Sequence, residues 1–376
     1  MNHTFPVVRS PLVLGAYTLP NRIVMPPLVI WQSGEDGLVT DAHIQHYRES
    51  AGPGLVIVEA ACVSSNGRLA ATQIGIFTDE QTPGLARLAD TIMQSGAVAG
   101  IQIHHAGAQS TVKKNWGASP VVVSLCDSSP EGAVELDESA IKAVIEDFAA
   151  AAERAAAAGF QVIEIHGAHG YLGSQFLSPR HNLRTDAWGG SLENRARFLI
   201  EVVQAVRDRL HGRSSRPLVA CRLGVVDQQL QLQEGIETAR MLIDAGVEVL
   251  NISNAGGMPK AQDGSRLPNT EDGLTALFHL ACQVRAALTE APYSNVPVIG
   301  VGGIKTPADA ELALTRHQPV DLVAVGRGML ADPGWAAKSL AGREASISSC
   351  VDCKPKCFHF SEPERCPARR ALFAGK

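Results

Sequence analysis

Eight short β-branched runs recur along the chain, at residues 22–25, 55–59, 98–103, 161–165, 218–222, 247–252, 296–301 and 321–325. Between several of them the apolar spacing lengthens to the period of a helix. Leu85, Leu88, Ala89 and Ile92 form one such face. Ile141, Val144, Ile145, Phe148, Ala152 and Ala155 form a second, and Ala239, Leu242 and Ile243 a third. Thr306 before Pro307 is a helix start, with a side-chain acceptor at the N-cap and proline in the first turn. Strands alternating with helices imply a parallel sheet. Eight such units imply that the sheet closes, so the fold class is α/β, a (β/α)8 TIM barrel. The barrel is expected over residues 1–340, with a short cysteine-rich extension over 341–376. Residues 1–20 fall outside the alternation and are expected to lie across the barrel bottom. Residues 104–136 and 255–272 are long connections leaving the carboxyl side of the third and sixth strands, where they can cover an active site.

Composition narrows the function classes. A net charge of -5 on 376 residues gives no basic surface for nucleic acid. No uninterrupted apolar run reaches the length of a membrane span. The start, MNHTFPVVRS, lacks the basic-then-apolar pattern of a secretion signal. Cys62, Cys126, Cys221 and Cys282 are isolated and read as core or loop residues. The cysteines do not form the framework of a secreted disulfide protein, so a cytoplasmic location is expected.

Two regions carry chemistry. Residues 162–171 read VIEIHGAHGY, a strand ending in His166, His169 and Tyr171 with glycine between them. Ligands bind at the carboxyl ends of strands in parallel α/β proteins. Two imidazoles and a phenol there can grip a carbonyl oxygen and deliver a proton. The second region is the pair of glycine clusters IGVGGI (299–304) and VGRG (325–328), after the seventh and eighth strands. Barrels often hold a phosphate at these loops, and Arg327 adds a positive charge. A phosphorylated substrate or cofactor follows.

Taken together, NRIVMPPL at 21–28, IQIHHAG at 101–107, HGAHGYLGSQFLSP at 166–179, GGSLENR at 189–195, VGGI and VGRGML resemble, in order, the old yellow enzyme family of NADH:flavin oxidoreductases and ene-reductases. The resemblance implies FMN over the barrel mouth. Gln102 would bond the pyrimidine edge of the flavin, and Arg222 would stabilise its reduced anion. Gly302, Gly303, Gly326 and Arg327 would hold the phosphate, and Pro27 and Ala60 would pack near the ring. NAD(P)H would reduce the flavin, and an α,β-unsaturated carbonyl substrate would then bind the same face, giving ping-pong kinetics. His166 and His169 would bond the substrate carbonyl, hydride would pass from flavin N5 to the β-carbon, and Tyr171 would protonate the α-carbon. Two departures stand out. Val29 replaces a usual threonine or cysteine donor to the flavin, which implies a lower flavin potential. Trp31 replaces a frequent tyrosine and narrows the substrate pocket. His104 beside His105 is unusual, and one of the two is expected to be structural.

The tail carries Cys350, Cys353, Cys357 and Cys366, with His359 as a spare ligand. Its first spacings resemble the cysteine run of the 2,4-dienoyl-CoA reductase and trimethylamine dehydrogenase branch, which implies a [4Fe–4S] cluster. A zinc ion and unligated thiols are the other readings. The chain ends at Lys376, so the sequence leaves no room for the second flavin domain that those relatives carry. Rival functions are an iron–sulfur amine dehydrogenase or demethylase, a dienoyl reductase-like enzyme, an RNA-modifying flavin barrel and a non-enzymatic flavin–thiol redox sensor. A homo-oligomer is left open.

Overall fold

The computed structural model describes residues 5–213, 215–259, 273–353, 357 and 365–373. Eight parallel strands close into a barrel in sequence order. They are β1 (Ile23–Met25), β2 (Leu55–Cys62), β3 (Val98–His104), β4 (Val162–Gly167), β5 (Leu218–Gly224), β6 (Val249–Ser253), β7 (Val298–Val301) and β8 (Leu322–Ala324). The first pairs with the last, Val24 lying opposite Ala324. Buried on both faces, these strands read as continuous apolar runs, as parallel sheets do.

Helices cover the outside. Glu138–Ala157 begins where Asp137 accepts from Ala140 N–H at 2.7 Å, and it buries the face from Ile141 to Ala155 against the barrel. Leu85, Leu88, Ala89 and Ile92 do the same for Thr82–Gln94. Thr306 caps Pro307–Thr315 reciprocally with Asp309: Asp309 N–H donates to Thr306 Oγ1 at 3.2 Å, and Thr306 N–H to Asp309 Oδ2 at 2.7 Å. No described helix is long and apolar enough to cross a membrane.

The strand ends differ from the apolar runs in a consistent way. β2, β4 and β5 continue to Cys62, Gly167 and Gly224, because the ladder carries on through the polar residues of the rim. His166 remains paired opposite Arg222. β6 and β7 begin later than the runs suggest. Val247 N–H is taken by Leu242 O at the end of the preceding helix, and Val296 N–H by Tyr293 O in a turn, so neither can join the ladder.

The amino-terminal segment forms an antiparallel hairpin, Leu12–Leu14 with Tyr17–Leu19. Leu14 and Leu19 enter the barrel bottom and pack on Val24, Leu55, Val98, Val162, Leu218, Val249, Ile299 and Leu322. Gly15 makes the turn at φ +56°, and a Cβ there would stand 2.6 Å from Leu218 Cδ2. The connection after β3 is tied down by Asn115. This side chain accepts from Ser110 Oγ at 2.6 Å and Arg68 N–H at 3.1 Å, and it donates to Asn66 O at 2.7 Å. Of the long connection after β6, residues 260–272 lie outside the described residues.

The plug has a measurable contribution. Leu19 is fully buried, so Leu19→Ala removes its side chain from a packed layer and leaves a cavity. The expected loss is about 2–5 kcal/mol, read as a lower urea midpoint. A midpoint equal to that of the parent chain would show that the hairpin is not part of the cooperative core.

Candidate active site

Barrel closure brings a polar layer together inside the rim. Gln102 on β3 and Glu164 on β4 are register partners, and Gln102 Nε2 donates to Glu164 Oε1 at 2.7 Å. Asn251 on β6 donates to Glu164 Oε2 at 2.7 Å. Arg222 on β5 lies opposite both His166 and Asn251 in the ladder. Burial raises the Glu164 carboxyl above its usual range, against the opposing pull of Arg222, Asn251 and Gln102. Burial lowers the Arg222 guanidinium below its usual range, against the opposing support of Glu164 and Tyr171. Its Nε and Asn251 Oδ1 have no hydrogen-bond partner, which leaves donor and acceptor capacity facing this layer.

Above the layer sit the predicted catalytic groups. His166 Nδ1 accepts from Ala168 N–H at 3.2 Å, so its ring proton lies on Nε2. That atom stands 3.3 Å from His169 Nδ1, and His169 Nε2 is 2.6 Å from Ser253 Oγ. His169 adopts φ +62°, a left-handed backbone that a non-glycine residue takes only when held there. Its N–H is fixed by Asn254 O at 2.9 Å. Tyr171 packs edge-on against His166, with ring centroids 5.0 Å apart. Burial drives both imidazoles well below the usual histidine range, and Arg222 adds to the effect. They are therefore neutral donors and acceptors. Burial also raises the Tyr171 phenol, while Arg222 pulls it down.

A cavity of about 410 Å³ joins this cluster to the glycine loops. Pro26, Pro27, Leu28, Val301 and Ala324 give it apolar walls, and His169 and Arg222 stand at its inner end. Gly302, Gly303, Gly326, Lys305 and Arg327 line the other end. Gly302 (φ +124°) and Gly303 (φ +84°) take turns closed to other residues, and a Cβ on Gly302 would run into Thr275 Oγ1. Asp352 bridges the cations there, 2.6 Å from Lys305 Nζ and 2.7 Å from Arg327. An apolar slot with a basic, glycine-lined end and a guanidinium at the other suits a planar ring carrying a phosphate, so the residues present fit FMN.

Of the remaining predicted residues, Ala60, Val29 and Trp31 do not line this cavity. Ala60 is buried on β2, and its carbonyl accepts from Gln73 Nε2 at 2.7 Å. Val29 and Trp31 are half-buried in the segment after β1, with Trp31 at φ +55°. That segment is anchored by Glu59, whose Oε2 accepts from Ile30 N–H at 3.1 Å. Burial pushes the Glu59 carboxyl up to about 8. His43 Nε2 is 3.8 Å away, and burial pushes it down to about 4.

Cys350 lines the cavity and packs against a small buried cluster of Ala331, Cys366 and Ala368. Cys353 and Cys357 are half-buried. Among the described residues no three His, Cys, Asp or Glu side chains are gathered to hold a metal ion. As placed, the thiols do not form a ligand set, and His359 lies outside the described residues.

Sequence reasoning missed Glu164, Asn251, Ser253, Glu59, Lys305 and Asp352. For the first four a signal existed, since each is a polar residue inside a mostly apolar strand.

Residues 8–346 match the family described as NADH:flavin oxidoreductase / NADH oxidase. The chain is 37% identical over 366 residues to the NADH oxidase of Thermoanaerobacter brockii, covering 95% of this chain but 54% of that protein. It is 36% identical over 325 residues to the NADPH dehydrogenase of Listeria monocytogenes serotype 4b, covering 85% of this chain and 90% of the relative. Among solved structures it is similar to an old yellow enzyme homologue from Zymomonas mobilis, with a TM-score of 0.76 and 25% identity over 92% of this chain and 95% of the other.

His105 offers a clean test of how dry this end of the barrel is. Its Nδ1 accepts from Gly107 N–H at 3.1 Å, and burial pushes it from 6.5 down to about 3. The unfolded chain therefore takes up the proton first. The stabilising contribution is complete above pH 6.5 and is lost as the pH falls toward 3. Between pH 7 and pH 5 the parent protein should lose about 2 kcal/mol more stability than His105→Gln, which keeps an acceptor for Gly107. Equal losses in urea titrations at the two pH values would mean that the imidazole is wet.

Proposed function

The chain belongs to the NADH:flavin oxidoreductase / NADH oxidase family, the old yellow enzyme family, and from that premise we propose that it reduces α,β-unsaturated carbonyl compounds at the expense of NAD(P)H. Bound FMN supplies the hydride. Gly302, Gly303, Gly326, Arg327 and Lys305 would hold its phosphate, while Pro27, Val29 and Ala60 would lie beside its ring. Gln102 and Arg222 would meet its pyrimidine edge, with Glu164 fixing the Gln102 amide at 2.7 Å.

The observation that carries this reading is the pair of neutral imidazoles facing each other at 3.3 Å, beside a phenol and at the end of a cavity shaped for a flavin. An electron-rich carbonyl oxygen entering between them receives His166 Nε2–H directly. For His169 to donate as well, its proton must sit on Nδ1. Ser253 permits this, because its hydroxyl is 2.6 Å from His169 Nε2 and can turn from acceptor to donor. Two donors on one oxygen stabilise the enolate character that builds up during reduction. Tyr171 then breaks its O–H bond and gives the proton to the α-carbon. Trp31 bounds the substrate side.

Anaerobic reduction with NADH and with NADPH, followed by 2-cyclohexenone or maleimide, tests the reading. The expected result is flavin bleaching by the nicotinamide and enone-dependent reoxidation. His166→Ala combined with His169→Ala should retain FMN and lose enone turnover; retained turnover would refute the assigned roles.

The tail supports a second reading, because Cys350 opens on the same cavity. A [4Fe–4S] cluster held by Cys350, Cys353, Cys357 and Cys366 would make the protein an iron–sulfur flavoprotein acting on amines or dienoyl thioesters, whereas a zinc ion there would carry no electrons. Iron, zinc and acid-labile sulfide analysis after anaerobic purification decides between metal and bare thiols.

A further inference from the structure

His104 ends β3 directly beside the proposed proton donor, yet the scheme above gives it no task. It is completely buried, and neither ring nitrogen has a hydrogen-bond partner. Its neighbour His105 is different, with Nδ1 accepting from Gly107 N–H and its ring pressed beneath Gly67, where a Cβ would stand 2.5 Å from His105 Cδ2. His105 is thus the structural member of the pair. The His104 ring packs against the catalytic cluster instead. Its centroid lies 4.6 Å from that of Tyr171 at an interplanar angle of 88°, and 5.3 Å from that of His166.

The groups facing Tyr171 are His104 from β3, His166 from β4, His169 from the turn after it, and Arg222 from β5. His166 and His169 already use their nitrogens on Ala168, on each other and on Ser253. Among these four, unspent hydrogen-bonding capacity remains on His104 and on Arg222 Nε. A buried donor without a partner is costly, and a phenylalanine or leucine would fill the space without that cost. An unpartnered imidazole against a proton-donating phenol has a use when the phenol becomes an anion.

We propose that His104 is a positioning residue for the protonation step, holding the Tyr171 ring edge-to-face and offering a neutral N–H dipole to the phenolate left behind. This rests on Tyr171 as the proton donor. In that step the Tyr171 O–H bond breaks and a C–H bond forms at the α-carbon from the enolate electron pair. The negative charge moves from substrate to phenolate, and the phenolate regains a proton from solvent. His104 keeps its proton throughout. Burial pushes its imidazole down to about 3, so it stays neutral over the working range and acts as a dipole, not as a charge.

The test is ultraviolet difference titration of the holoenzyme, with Tyr171→Phe used to subtract Tyr17, Tyr47 and Tyr293. His104→Phe keeps a ring but removes both nitrogens, and His104→Leu does the same at a volume closer to histidine should phenylalanine not fit. In either, the Tyr171 ionisation should move to higher pH, and the enone half-reaction should slow about three- to tenfold. Flavin reduction by NAD(P)H should be unchanged. His104→Gln, which restores an N–H, should recover part of the loss. A Tyr171 ionisation that stays put in the folded donor-less variants overturns the proposal. If the ionisation shifts but Tyr171→Phe reduces enones at full rate, the coupling of the two residues stands and the proton-donor reading falls.

Discussion

Closure of the parallel barrel is the constraint from which the rest follows. With every strand running the same way, all eight carboxyl ends meet at one rim. Side chains far apart in the chain therefore share one space: Pro27 after β1, His169 after β4, Arg222 on β5, Gly303 after β7 and Arg327 after β8. The amino-terminal hairpin completes the arrangement by filling the opposite end with Leu14 and Leu19. Glu164, His166 and Arg222 inside the rim are buried and meet a low-dielectric surrounding.

That dryness decides the chemistry available. Histidine 166 and histidine 169 would be partly charged near neutral pH in water, but burial beside Arg222 makes them neutral. A neutral imidazole has one donor and one acceptor, so the direction of each bond is set by what the other nitrogen meets. Ala168 N–H fixes His166, and Ser253 leaves His169 able to change tautomer. Glu164 and Arg222 form the complementary element below, a carboxyl and a guanidinium held inside the barrel with Gln102 and Asn251 between the strands. Charge is confined to this lower layer, and the neutral imidazoles above it act as dipoles.

Much of this was legible in the chain. The β-branched runs marked all eight strands, since parallel strands buried on both faces cannot hide their composition. The helix faces from Leu85 and Ile141 followed from apolar spacing alone. The glycine clusters after the last two strands, and the histidines after the fourth, pointed to the rim. Strand ends were less legible, because the ladder at His166 and Arg222 continues through residues that look like loop, while Val247 and Val296 look like strand but are claimed by turns. Glu164 and Asn251 were passed over because a polar residue in an apolar strand states only that a partner exists, not which strand supplies it.

Local pattern therefore determined the fold class and the kinds of residue gathered at the rim. It did so because secondary structure answers to periodicity over a few residues. Only the tertiary structure decided the roles. His104 and His105 are chemically identical neighbours, yet one is locked by Gly107 and Gly67 and the other faces Tyr171 and His166. Asp352 gives no hint in sequence of lying between Lys305 and Arg327. Partnership of this kind depends on which strands and loops the closed barrel makes neighbours, and that information is distributed over the whole chain.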